Sequence, residues 1–63
     1  MFYARTNKYG SPTSAGFDNT MEAVAFRSKR DRDAFVRDNG DTNMAVCSVG
    51  ASYAKKIGIT ETR

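Results

Sequence analysis

The sequence predicts an α+β domain: a three-stranded, mainly antiparallel sheet carrying two short helices on one face, in the order β-β-α-β-α. Three observations predict it. Period-two alternation opens the chain, a capped helical run follows Ser28, and apolar residues recur at helical spacing from Val49 to Ile57. With 63 residues there is room for one domain, spanning 1–63.

Residues 1–9 read as the first strand. Phe2, Ala4 and Thr6 alternate with Tyr3, Arg5 and Asn7, and aromatic and β-branched residues suit a pleated surface. Gly10-Ser11-Pro12-Thr13-Ser14-Ala15-Gly16 reads as a loop continuing through Asn19. It is longer than a hairpin needs, as functional loops often are. Thr20 to Phe26 read as the second strand, with Val24 and Phe26 on its inner face.

Ser28 is placed to cap a helix by accepting from the backbone N–H three residues on, with Asp31 reaching back. This helix carries Phe35 and Val36 and is expected to stop at Asn39-Gly40, where glycine tolerates a left-handed backbone. Asn43 to Cys47 read as a third strand. A second helix from Ser48 gathers Val49, Tyr53, Ala54 and Ile57 on one face. Gly58 is its expected terminator, with Ile59 folding back onto Ala54, and Gly50 inside its first turn is the one discordant residue.

Composition narrows the function classes. A chain this short buries only roughly 60% of the surface its unfolded form exposes, so a staple or a second subunit is common at this size. Cys47 is the single cysteine and histidine is absent, so neither an intramolecular disulfide nor a zinc-type site is expected. A domain without disulfides suits a reducing cytosol. The N-terminus is polar where a signal peptide needs an apolar run, and no stretch approaches the length of a membrane span, so no membrane association is expected. The protein is read as a monomer or a homodimer.

Catalysis is not expected. Without histidine the commonest general base near neutral pH is missing. Cys47 has no imidazole to activate it and reads as a core residue. Asp31 and Asp33, two apart on a helix, point to different faces and cannot pair as acid and base. Gly10 and Gly16 lack the strand, helix and lysine of a phosphate-binding loop. No cofactor is implied.

Ten Lys/Arg against seven Asp/Glu give a net charge of +3, a lean toward an acidic partner. Arg27, Lys29, Arg30 and Arg32 crowd the helix start, and Arg37 follows. One reading is a solvated helix face diluted by Asp31, Asp33 and Asp38, with Asp33 and Arg37 paired at i, i+4. The other is a docking patch, because cations at a helix N-terminus oppose the macrodipole at about 0.3–1 kcal/mol each. A local rule broken in this way marks functional surfaces.

Aromatic residues pose a parallel choice. Tyr3 and Tyr9 flank Arg5 on one side of the first strand. They either form a stacking platform for single-stranded nucleic acid or cap the core with their hydroxyls at the rim. Phe17, in a polar loop between Gly16 and Asp18, is either tucked beneath the loop or offered as an apolar anchor. The candidate partner-binding residues are therefore Arg27, Lys29, Arg30, Arg32, Arg37 and Phe17.

The run Phe26-Arg27-Ser28-Lys29-Arg30-Asp31-Arg32-Asp33-Ala34-Phe35-Val36 resembles a segment of small uncharacterised bacteriophage accessory proteins. In those, a strand ending in Phe-x-Ser passes into a helix of the form Lys-x-acid-Arg-Asp-Ala-aromatic-Val. Tyr9-Gly10-Ser11 before a loop is similar to their N-terminal half, so the resemblance covers residues 1–36. Their pattern has few extra cations at the helix start, and Arg30 departs from it. The resemblance implies a phage-encoded protein acting in the bacterial host cytoplasm. Many compact phage proteins of this kind, anti-CRISPR proteins among them, bind and disable a host complex. The expected function is inhibition or modulation of a host protein or ribonucleoprotein complex by docking, a defence system such as CRISPR–Cas being the leading target. The alternative is a small basic nucleic-acid-binding module.

Overall fold

The computed structural model describes residues 1–8 and 20–63, so Tyr9 and Phe17 lie outside the described residues. The elements are β1 (Phe2–Asn7), β2 (Met21–Phe26), α1 (Lys29–Gly40), β3 (Cys47–Val49), α2 (Ala51–Ile57) and β4 (Ile59–Thr62). The α+β class holds, but the sheet has four strands, in the order β3-β1-β2-β4. It is mixed: β1 runs antiparallel to both β2 and β3, while β4 runs parallel to β2. The expectation of three mainly antiparallel strands is corrected accordingly.

The two helices also do not share a face. In the β1–β2 register Ala4 opposes Val24 and Phe2 opposes Phe26. Ala4, Val24 and Phe26 pack with Phe35 and Val36 of α1. The alternate set, Tyr3, Met21 and Ala23, packs with Tyr53, Ala54 and Ile57 of α2, together with Ala45 and Val49. Successive strand residues point to opposite faces, so α1 and α2 cover opposite sides of the sheet.

Chain hand explains this arrangement. β2, β3 and β4 point the same way. The β2–α1–β3 connection crosses β1 in one direction, and β3–α2–β4 returns across β1 and β2 in the other. Two crossovers of one hand that travel in opposite directions must place their helices on opposite faces. β2 is therefore apolar on both sides. Met21, Ala23, Val24, Ala25 and Phe26 are all buried, beyond the single inner face expected from Val24 and Phe26.

Several boundaries shift for local reasons. β3 occupies Cys47–Val49 instead of Asn43–Cys47, and Val49 joins the α2-side cluster from a strand. Gly50 is the N-cap of α2, which removes the discord of a glycine in a first turn. Gly58 ends α2 with φ 102, and its N–H donates to the Ala54 carbonyl at 3.0 Å. The chain then extends into β4, so Ile59 is 40% exposed instead of folding back onto Ala54.

At the end of α1, Asp41 keeps a right-handed backbone at φ −62, and no left-handed stop forms at Gly40. Gly40 answers a need for space instead. A Cβ there would stand 3.3 Å from the Val46 carbonyl oxygen. Cys47 is half-buried, not a core residue, and carries a free thiol.

Candidate functional site

The basic segment lies where β2 hands the chain to α1. Ser28 has extended geometry (φ −123, ψ 134), and its hydroxyl oxygen accepts from the Asp31 N–H at 3.3 Å. The cap fixes where the helix begins and hence where each cation points. Phe35 and Val36 face the sheet, so Lys29, Arg30 and Arg37 lie on exposed sides of α1. Arg27 is held one step before the cap, its N–H donating to the Arg63 carbonyl at 3.0 Å.

The expected cations separate into three kinds. Arg27, Lys29 and Arg30 are exposed, and among the described residues their side chains form neither ion pair nor hydrogen bond. Arg37 is also exposed, but its Nε lies 3.3 Å from Asp38 Oδ1; the pairing with Asp33 read from i, i+4 spacing does not form.

Arg32 belongs to the fold. Its side chain is only 13% exposed and its Nε donates to Asp33 Oδ1 at 2.7 Å. Its Nη1 donates to the Tyr3 carbonyl at 3.2 Å, and its Cζ sits 5.9 Å from the centre of the Phe2 ring. It cannot turn outward to a partner without breaking these contacts. Arg32 is removed from the docking patch.

Parallel pairing brings in a residue that the sequence reading missed. β4 ends beside β2, so Arg63 N–H donates to the Ala25 carbonyl at 2.7 Å. Its guanidinium lies 5.1 Å from the Phe35 ring centre and 5.9 Å from that of Phe26. Glu61 receives it in a two-point pair, at 2.7 and 3.2 Å. The hydrogen bonds from Arg63 lower the Glu61 carboxyl below the usual glutamate range and raise Arg63 in turn. The Glu61–Arg63 pair is local, but no sequence spacing signals the placement of Arg63 beside Phe26 and Phe35, which depends on a strand pairing between distant segments.

Of the two readings of the first-strand tyrosines, Tyr3 follows the core-capping one. Tyr3 and Arg5 do share a face, but that face lies under α2. Tyr3 packs against the core, and Arg5 donates to the Ala45 carbonyl at 2.7 Å and the Tyr53 hydroxyl at 3.3 Å. Among the described residues no open stacking surface exists there. Among the described residues there is no pocket and no group of His, Cys, Asp or Glu placed to hold a metal ion. No helix of the described residues is long and apolar enough to cross a membrane.

What remains is a convergence at one end of the sheet. Arg27, Lys29 and Arg30 present unneutralised charge suited to charge-assisted hydrogen bonds with carboxylate or phosphate oxygens. Comparisons with protein-family models, with curated proteins and with solved structures found no match to this chain.

Proposed function

We propose that this chain is a phage-encoded binding protein that inhibits or modulates a host protein complex, CRISPR–Cas being the leading target, by docking without catalysis. One observation carries the docking reading. Arg27, Lys29 and Arg30 stand exposed and unpaired at a helix start among the described residues, where the macrodipole disfavours them. Arg32 in the same run is tied to Asp33, Tyr3 and Phe2, so the crowding of cations is not one uniform solvated face. The phage and host context rests on the resemblance of residues 26–36 to phage accessory proteins.

The partial burial of Tyr3 and the tethering of Arg5 weigh against the nucleic-acid module in its form as a β1 stacking surface. Its remaining form uses the same three cations and is separated by salt dependence, since phosphate binding weakens steeply as counterions compete.

The test is phage plating on bacteria carrying active CRISPR–Cas systems of several types. The chain is expected to restore plating on one of them. Arg27→Glu with Arg30→Glu is expected to lose this effect with an unchanged circular dichroism spectrum. Restoration retained by the double variant removes the patch; no restoration on any type removes CRISPR–Cas as the target.

A further inference from the structure

The exposed large apolar residues among those described are Met1, Phe2, Met44 and Ile59. Their places in the fold differ. Met44 precedes β3 and Ile59 opens β4, at the end of the sheet where the three co-directional strands begin. Met1 and Phe2 lie at the opposite end, because β1 runs against β2 and Phe2 opposes Phe26. That is the end where Arg27 follows β2 and where Lys29 and Arg30 open α1. Met1 is 61% exposed and Phe2 37%. The cations thus adjoin the apolar ground offered by the start of β1.

The acids at this end do not neutralise the patch. Asp33 is engaged by Arg32, and Glu61 by Arg63. Among the described residues Asp31 alone remains at this end, against Arg27, Lys29 and Arg30. A nucleic-acid backbone would use the cations but make little of Met1. The Arg32 guanidinium lies 5.9 Å from the centre of the Phe2 ring, so a base would compete with it for one face of that ring. An apolar centre with a charged margin is the make-up of a protein interface.

Building on the docking reading above, we infer that the partner is a protein segment in which an apolar side chain, flanked by carboxylates, seats on Phe2 and Met1 while Arg27, Lys29 and Arg30 bind the acids. The apolar anchor on this end is Phe2.

Fluorescence anisotropy with three labelled probes tests this: a peptide of Glu-Glu-Leu repeats, one of Glu-Glu-Ser repeats, and a single-stranded oligothymidylate of equal charge. The leucine peptide is expected to bind about tenfold more tightly than the serine peptide, the effect of desolvating one apolar contact. Phe2→Ala should erase that difference, and Phe2→Leu should keep it. Arg27→Glu with Arg30→Glu should abolish binding of both peptides. Equal affinity for the two peptides in the unaltered chain, which involves no question of folding, overturns the inference while leaving the cationic patch in place. Tighter binding of oligothymidylate than of the leucine peptide overturns it in favour of nucleic acid. Failure of both peptides to bind, or full binding by the charge-reversed variant, overturns the inference and the patch together.

Discussion

Arg32 reaches from α1 to the backbone of β1, donating to the carbonyl oxygen of Tyr3 at 3.2 Å across a sequence separation of 29 residues. The contact ties helix to sheet on the α1 side, where no residue of the helix is fully buried. It also converts one member of a cationic run into a structural residue.

Arg32→Ala is therefore expected to destabilise the protein by about 1.5–3 kcal/mol, the range for a lost charged hydrogen bond with its acceptor left behind. Urea denaturation measures it. Arg32→Lys should recover only part of the loss, because an ammonium cannot make the forked contacts of a guanidinium. A cost near zero for Arg32→Ala would return this residue to the surface patch.

Arg30→Glu should do the reverse. The side chain is exposed and unpaired among the described residues, and an acid at a helix start favours the macrodipole by about 0.3–1 kcal/mol. The same substitution removes a docking cation. The expected outcome is a raised melting temperature with weakened binding, and lowered stability would contradict the placement of Arg30 in the first turn.

Gly58 and Gly50 should respond differently to alanine. Gly58 has φ 102 and ψ 123, a region nearly restricted to glycine, so Gly58→Ala should cost about 1–3 kcal/mol. Gly50 has φ −81, with open space around the position of a Cβ. Gly50→Ala should cost less, since glycine also leads alanine at an N-cap by only about 1 kcal/mol. Equal losses in paired thermal melts would argue against the turn into β4.

Glu61 provides a pH signature. Its carboxyl is held below the usual range by the hydrogen bond from Arg63, so the charged form is favoured in the folded state. The sign follows from that depression: the pair's contribution is present above the ordinary glutamate range and is lost as pH falls through the lowered folded value. Titration of the Glu61 side-chain carbon by NMR should show the depressed midpoint, and Arg63→Ala should return it to normal. An ordinary midpoint in the unaltered chain would mean that the Glu61–Arg63 pair does not form as described.

Met21 is the largest completely buried side chain among the described residues, and Met21→Ala should cost about 2–5 kcal/mol. For a domain of this size that approaches the whole of its stability, so partial unfolding at room temperature is the expected result in circular dichroism.

Features governed by neighbouring residues were legible in the sequence. Ser28 set the start of α1, although the Asp31 side chain does not reach back, Gly58 set the end of α2, and alternation marked β1 and β2; each rests on backbone geometry within a turn or a few strand residues. The exposed cations Arg27, Lys29 and Arg30 were equally legible, because the cap determines their orientation. The remaining features depend on contacts between distant segments. Ile59, Thr60 and Thr62 favour a strand, but all of β4 is exposed, so no buried apolar alternation announced it. Once β4 pairs with β2, the returning crossover puts the helices on opposite faces, packs Tyr3 against the α2-side core and brings Arg63 beside Arg27. The fate of Arg32 was hidden for the same reason: whether a guanidinium meets water or a carbonyl depends on which distant strand packs beneath its helix, a relationship absent from local spacing.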